Sequence, residues 1–256
     1  MKKYKTSKEL FRSEYVSYAR LSSYETCPQK FKLTYLDKIP CPVGRAGQLG
    51  SVVHTIIAKY LEDVRSSNSL VETDASDLYE STIPTCKELR EAGELTYFLN
   101  EYEIENLLDG FAKLFPRVDS RSIVGVEVES NFEIHGYQFK TITDLILCNA
   151  NGKFTIIDFK TGKPEYVDDL QVQLYAIPLF EKRTASEIEL IYAFLRYGEL
   201  KRLRMTCKSV TKFSDKLIDR VRRIEADKTF FPEPSFLCDF CGVREHCTKG
   251  NTEILY

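Results

Sequence analysis

The fold predicted for this chain rests on one stretch, FTIIDFKTGK at residues 154–163. It is typical of a short apolar strand that ends at a carboxylate and an ammonium group and breaks at Gly162. Because strand side chains alternate between faces, Asp158 and Lys160 must emerge on the same face. Such a pair is either a metal ligand beside a charge stabiliser or an ordinary surface salt bridge, and the stretch alone leaves both open.

Two strands are predicted before this stretch. Apolar and polar residues alternate from Ile123 onward, and after His135-Gly136 a second strand runs over residues 137–148. The turns are short, so the three strands should form an antiparallel meander. Asp144 of the middle strand and Asp158 of the third can then approach each other across the sheet.

The residues after the stretch predict a parallel unit. Residues 166–182 have the pattern of a helix, which Pro178 should kink or shorten, and residues 188–195 are nearly all apolar, as in a strand buried on both faces. A strand, a crossover helix and a second strand form a right-handed parallel unit. A hairpin into residues 200–206 and an amphipathic helix over 213–227 follow.

The first half of the chain is predicted to be mainly helical. A glycine-rich loop extends to Gly50, and a helix with apolar residues at spacings of three and four begins at Ser51. His54 borders its apolar stripe, a position typical of a packed or surface histidine as well as of a ligand. Short surface helices are expected within 65–94 and a buried packing helix over 95–118.

Composition limits the class of protein. The 256 residues are 43% hydrophobic and 29% charged, as in a globular protein with a substantial core, and one elaborated domain is expected. The net charge of -2 means that binding to a polyanion would need local basic clusters. No apolar run approaches a membrane span and the first residues lack a signal-peptide core, so we expect a cytoplasmic protein without a membrane partner.

Cysteine spacing indicates a metal site near the end of the chain. Cys238 and Cys241 can chelate one centre and Cys247 can close over it, but a tetrahedral site or a cubane needs a fourth ligand. His246 could serve, and Cys27 is the better candidate because His246 would share the site awkwardly with its neighbour. The spacing fits zinc as well as iron and sulfur.

Together these residues resemble a known family. Asp144, with IDFKT at 157–161 and QVQLY at 171–175, resembles the PD-(D/E)XK nuclease superfamily, in particular its RecB-like branch with the QxxxY motif. GSVVH at 50–54 is similar to that branch's helical histidine motif. The one-plus-three cysteine arrangement is similar to iron–sulfur members, including CRISPR-associated exonucleases and AddB-type helicase-nuclease subunits. The resemblance spans about 20–248, with 65–120 and 200–230 unaligned.

The resemblance implies a fold and a set of roles. The fold would be α/β, with a restriction-endonuclease-like αβββαβ core forming a single domain over residues 1–256. That domain would carry a helical insertion at about 65–120 and a C-terminal iron–sulfur region. A 4Fe-4S cluster on Cys27, Cys238, Cys241 and Cys247 would staple Cys27 to residues 238–247.

The resemblance also implies an active site. His54, Asp144, Asp158 and the backbone carbonyl of Phe159 would bind Mg²⁺ or Mn²⁺. Lys160 would orient or activate the attacking water and offset charge at the phosphate, while Gln171 and Tyr175 would position the site or the nucleic acid. Asp158 stands where many members have the longer glutamate, and Glu127 on the first strand could support the metal.

The implied activity is metal-dependent hydrolysis of DNA, as an exonuclease on single strands or DNA ends. A duplex endonuclease and a non-catalytic nucleic-acid-binding scaffold are the alternatives. Protein partners in CRISPR adaptation or recombinational repair are expected, and the sequence contains no helicase P-loop of its own.

Overall fold

The computed structural model describes residues 4–182 and 185–249. The chain divides into two compact units. Unit 1 takes Met1–Gly44, Asn131–Thr141 and Ser209–Tyr256, and unit 2 takes Arg45–Ser130 and Ile142–Lys208. The predicted single domain over 1–256 includes residues 1–3, 183–184 and 250–256, which lie outside the described residues, and it stays a prediction.

The elements follow the chain in this order. The helices are α1 Ser7–Ser13, α2 Tyr18–Thr26, α3 Pro28–Phe31, α4 Arg45–Ser66, α5 Ala75–Tyr79, α6 Thr82–Glu91, α7 Glu101–Leu114, α8 Leu170–Glu181 and α9 Val210–Ala226. The strands are β1 Leu70–Glu72, β2 Arg117–Asp119, β3 Ile123–Ile134, β4 Tyr137–Cys148, β5 Phe154–Lys160, β6 Glu187–Phe194 and β7 Glu199–Thr206.

The main sheet has five strands in the order β3-β4-β5-β6-β7. Strands β4 and β5 are antiparallel, β5 and β6 are parallel through the crossover helix α8, and β6 and β7 are antiparallel. The predicted mixed α/β arrangement is therefore confirmed. Strands β1 and β2 form a separate antiparallel pair inside the region expected to be a helical insertion.

Unit 2 buries its core against both faces of the sheet. On one face, Ile157 and Phe159 of β5 pack into a cluster with apolar residues of α4 and α7. Helix α7 lies so close to the strand end that a Cβ on Gly110 would stand 1.8 Å from the carbonyl oxygen of Leu195. Helix α8 packs against β5 and β6, on the face that carries Lys160. The end of β5 is thereby fixed from two sides.

Unit 1 is built around aromatic side chains. The Phe31 ring contacts the rings of Phe11, Tyr24, Tyr35 and Phe230 at centroid distances of 5.3–6.3 Å. Cys27 has an extended backbone between α2 and α3, because Pro28 starts a new helix there. Cys27 therefore lies at a break between two helices.

Two predicted helix starts are wrong. Helix α4 begins at Arg45 and not at Ser51, so the glycine-rich stretch is helical. Helix α8 begins at Leu170 and continues past Pro178 to Glu181.

None of the helices within residues 4–182 and 185–249 is both long and apolar enough to cross a bilayer.

The predicted packing helix over 95–118 is shorter than expected. It occupies Glu101–Leu114, because the Asn100 side chain accepts the Tyr102 N–H and caps the helix start. Phe98 and Tyr102, which fall within that predicted buried helix, are 84% and 68% exposed. The spacing of apolar residues in the sequence continues through Asn100, although the helix begins only after that residue.

Candidate functional site

The end of β5 places two oppositely charged side chains on one face. The Asp158 carboxylate is 2% exposed, and Lys160 Nζ lies 2.6 Å from its Oδ2 atom. Within the described part of the chain, that oxygen has no hydrogen bond of acceptable geometry. Burial and the charge of Asp144 raise the pKa of Asp158 to about 6, although the ammonium of Lys160 opposes the rise. A buried carboxylate whose charge is compensated by a single ammonium is suited to bind a further cation.

The neighbouring strand supplies a second carboxylate. In the register that pairs Leu145 with Ile157, Asp144 comes to lie beside the end of β5. Its Oδ2 accepts the N–H of Phe159 at 2.7 Å and lies 3.4 Å from His54 Nδ1. This bond holds the Phe159 peptide against the carboxylate, so the strand end and Asp144 form one rigid unit.

Helix α4 brings His54 to the carboxylates. Its ring lies 6.2 Å from the Phe159 ring, edge to face, and its side chain is 28% exposed. Burial disfavours the charged imidazolium, but the carboxylates of Asp144, Asp158 and Glu127 outweigh it and raise the pKa of His54 to about 9. The pKa shows how strongly negative the surroundings are.

Glu127 is the residue that sequence reasoning undervalued. Ligand atoms of His54, Glu127 and Asp144 all lie within 4.8 Å of one another. The Glu127 backbone has a φ of 47°, a left-handed conformation uncommon for glutamate that costs roughly 1–3 kcal/mol. Desolvation by the surrounding protein atoms and the charge of Asp144 raise the pKa of its carboxyl, although the residue is exposed at the rim of the site. Its acidic side chain in an alternating strand was the only sequence signal, and nothing local predicts the backbone conformation.

A chain of hydrogen bonds fixes Lys160 from the side of α8. Lys160 Nζ donates to Gln171 Oε1 at 2.8 Å, and Gln171 Nε2 donates to the Tyr175 hydroxyl at 2.7 Å. Burial and the charges of two nearby carboxylates raise the pKa of Tyr175 well above its ordinary value. Tyr175 therefore stays protonated, and the ammonium is held in one position.

Next to His54 and Glu127 the site opens into a pocket of about 600 Å³, lined on one side by small residues of α4, among them Gly50 and Ser51. The donor set is the carboxylates of Glu127 and Asp144 with the imidazole of His54, and carboxylate oxygens are the ligands that hard divalent cations prefer. The residues present thus fit Mg²⁺ or Mn²⁺.

The structure brings together all the residues predicted for the active site. They are His54, Asp144, Asp158, Phe159, Lys160, Gln171 and Tyr175, all of them in unit 2. Their contacts place them in one neighbourhood, and the ligand set that the resemblance implies, with the role of each residue, stays a prediction.

The predicted cluster cysteines lie around one cavity of unit 1. Cys27, Cys238, Cys241 and Cys247 line a cavity of about 270 Å³. Backbone N–H groups of Glu233 and Ser235 donate to the sulfurs of Cys27 and Cys238 at 3.5 and 3.4 Å. Among residues 4–182 and 185–249, however, no three cysteine sulfurs lie within 4.8 Å of one another. The 4Fe-4S cluster stays a prediction.

Comparison with known proteins defines the class. Unit 2 is a mixed α/β unit with a carboxylate and a lysine at the end of β5 and a second carboxylate on β4. A family model of the PD-(D/E)XK nuclease superfamily matches residues 15–248. The chain therefore belongs to the PD-(D/E)XK nuclease superfamily.

Solved structures are also similar to this chain. One of them, that of SSO0001, is 15% identical and covers 93% of this chain and 87% of its own, with a TM-score of 0.38. A comparison with curated proteins found no match.

Proposed function

We propose that this chain is a Mg²⁺- or Mn²⁺-dependent deoxyribonuclease of the RecB-like branch. Its reaction is the hydrolysis of phosphodiester bonds, as an exonuclease on single-stranded DNA or DNA ends. The observation that carries the proposal is the meeting of His54, Glu127 and Asp144, whose ligand atoms lie within 4.8 Å of one another. They lie beside the end of β5, where Lys160 is 2.6 Å from Asp158.

The proposed metal ligands are His54, Asp144, Asp158 and the carbonyl of Phe159, with Glu127 as an added carboxylate. The burial of the Asp158 carboxylate supports this assignment, because a bound cation would add to the charge compensation that Lys160 gives it. When bound, the metal lowers the pKa of a coordinated water and offsets charge on the phosphate.

Lys160 is proposed to act on the water and the phosphate. Its ammonium contacts Asp158 and is oriented by Gln171, so that it keeps one direction without a metal present. A lysine held in this way presents a point charge to a phosphate oxygen and a donor to the attacking water. Gln171 and Tyr175 are positioning residues in this scheme.

Cys27, Cys238, Cys241 and Cys247 are proposed to hold a structural 4Fe-4S cluster. Their common cavity supports this, and a cluster of several irons spreads its thiolates farther apart than a single ion does. Metal analysis of anaerobically purified protein tests the assignment. Brown protein with about four irons is expected, and colourless protein with stoichiometric zinc would overturn it.

The substrates and partners follow from the branch. DNA single strands or ends are the proposed substrates, and proteins of CRISPR adaptation or recombinational repair are the proposed partners. The family membership supports a nucleic-acid substrate in general.

The test is hydrolysis of end-labelled single-stranded and duplex DNA with Mg²⁺, Mn²⁺ or EDTA. Asp158→Ala and Lys160→Ala should lose activity by about a thousandfold or more. Glu189→Ala is the control, because that carboxylate lies in an exposed ion pair with Arg202 on the same sheet.

The pattern of products separates the alternatives. Progressive shortening from the ends supports the exonuclease, and discrete internal fragments would replace it with an endonuclease. Binding without hydrolysis under any metal would leave only the scaffold.

A further inference from the structure

Two arginines share one carboxylate beside the end of β5. Arg45 Nη2 donates to Glu103 Oε2 at 2.6 Å, and Arg196 Nη2 donates to Glu103 Oε1 at 3.2 Å. The three side chains come from α4, α7 and the turn after β6. All are partly exposed, at 45%, 40% and 24% for the two arginines and the glutamate. Arg45 and Arg196 form an arginine pair around Glu103.

The arginine pair is attached to the segment that carries Lys160. Arg196 Nε donates to the carbonyl of Thr161 at 3.4 Å, and the preceding N–H of Leu195 donates to the carbonyl of Lys160 at 2.9 Å. A Cβ built on Gly50 would lie 3.5 Å from Thr161 Oγ1, so α4 passes the same segment between Arg45 and His54. The pair therefore borders the candidate active site.

The charges of the group are unbalanced. Hydrogen bonds from Arg45 and Arg196 hold the pKa of Glu103 below its ordinary value, so that it contributes one negative charge against two guanidiniums. In these contacts Arg45 uses Nη2 and Arg196 uses Nε and Nη2. Within the described residues, Nη1 of each remains to donate to another acceptor.

Stability does not account for such an arrangement. Exposed ion pairs contribute about 0–1 kcal/mol each, and a single arginine would neutralise Glu103. What the shared carboxylate achieves is to fix two guanidinium planes next to each other. Guanidiniums fixed in this way bind phosphate oxygens through short charge-assisted bonds, and little side-chain entropy is lost on binding.

We propose that Arg45 and Arg196 form a phosphate-binding site for a nucleic-acid strand, next to the scissile phosphate. The inference rests on the proposed function, since it places a neighbouring phosphodiester of the same substrate. With the scissile phosphate at Asp158 and Lys160, the strand continues past Thr161 to the arginine pair. The contacts are to the backbone, so they carry no base specificity.

The test is equilibrium binding of a fluorescein-labelled single-stranded oligonucleotide to the full chain, in EDTA so that the strand stays intact. Arg45→Gln, Arg196→Gln and the double variant are compared with Arg202→Gln, whose guanidinium lies in an exposed ion pair with Glu189. Each lost contact should weaken binding on the order of tenfold and reduce the slope of log K against log salt by about 0.7. The control should bind like wild type, and thermal melts establish that all variants are folded.

The outcomes separate this inference from the proposed function. Weaker binding with a smaller salt slope in the arginine variants supports the phosphate site, even if no metal restores hydrolysis. Unchanged affinity and slope in folded Arg45→Gln and Arg196→Gln would overturn it, even if wild type is an active nuclease. Absence of any DNA binding by wild type would overturn it as well.

Discussion

Replacing Asp158 with asparagine should stabilise the metal-free chain while it removes metal binding. The carboxyl pKa rises from 3.8 to about 6 on folding, so the ionised side chain costs about 3 kcal/mol in the folded state. Asparagine has the same shape without the charge, and Lys160 keeps its bond to Gln171. In EDTA at pH 8 we expect the melting temperature to rise by roughly 6 °C or more.

The pH dependence follows from the sign of the pKa change. A carboxyl whose pKa is raised on folding destabilises the folded state most above its folded pKa, where it is ionised. This destabilisation disappears at low pH, where the carboxyl is protonated in both the folded and the unfolded state. The difference between Asp158→Asn and wild type should therefore be full above pH 6 and shrink as the pH falls from 6 toward 4. Thermal denaturation followed by circular dichroism at pH 8 and pH 5 measures it.

A matched substitution and a metal titration complete the experiment. Asp144→Asn should not stabilise the chain, because Asp144 already accepts the Phe159 N–H and faces His54. Saturating Mn²⁺ at about 100 times Kd should stabilise wild type by about 2.7 kcal/mol and leave Asp158→Asn unchanged. Equal or lower stability of Asp158→Asn at pH 8, or an effect that is the same at both pH values, would refute the reasoning.

Three further predictions concern other parts of the molecule. The pKa of His54 in the metal-free chain is about 9, and a metal binds only neutral imidazole, so Mn²⁺ binding at pH 7.5 should release about one proton. Calorimetry in two buffers of different ionisation enthalpy measures this release, and its absence would contradict His54 as a ligand. Lys160→Met should keep Mn²⁺ affinity within a few-fold while hydrolysis is lost, so parallel loss of both would mean that the lysine only maintains the ligands. Gly110→Ala should destabilise the chain by about 2 kcal/mol or more in urea unfolding, because its Cβ would meet the Leu195 carbonyl; a neutral effect would contradict the close packing of α7.

Much of the fold could be predicted from local patterns. Alternation of apolar residues and short turns gave the meander, and the apolar run over residues 188–195 gave the parallel strand, because both signals depend only on neighbours along the chain. Helix ends were harder. The cap at Asn100 and the helical glycines after Arg45 depend on side-chain bonds and packing that periodicity does not contain.

The candidate site could also be predicted only in part from the sequence. Strand geometry alone placed Asp158 and Lys160 on one face, and the short turn to β4 brought Asp144 near. The position of Glu127 depends on one left-handed backbone angle and on the approach of α4, which no local pattern encodes.

The sequence by itself determined the strand that carries Asp158 and Lys160, its neighbours in the sheet and the family to which the motifs belong. These depend on short-range stereochemistry, which the order of residues specifies directly. Only the tertiary structure decided how deeply Asp158 is buried, that Glu127 joins His54 and Asp144, and that Arg45 and Arg196 meet at Glu103. Those contacts join residues tens of positions apart. They form because the packing of α4 and α7 on the sheet fixes where the side chains of each helix lie.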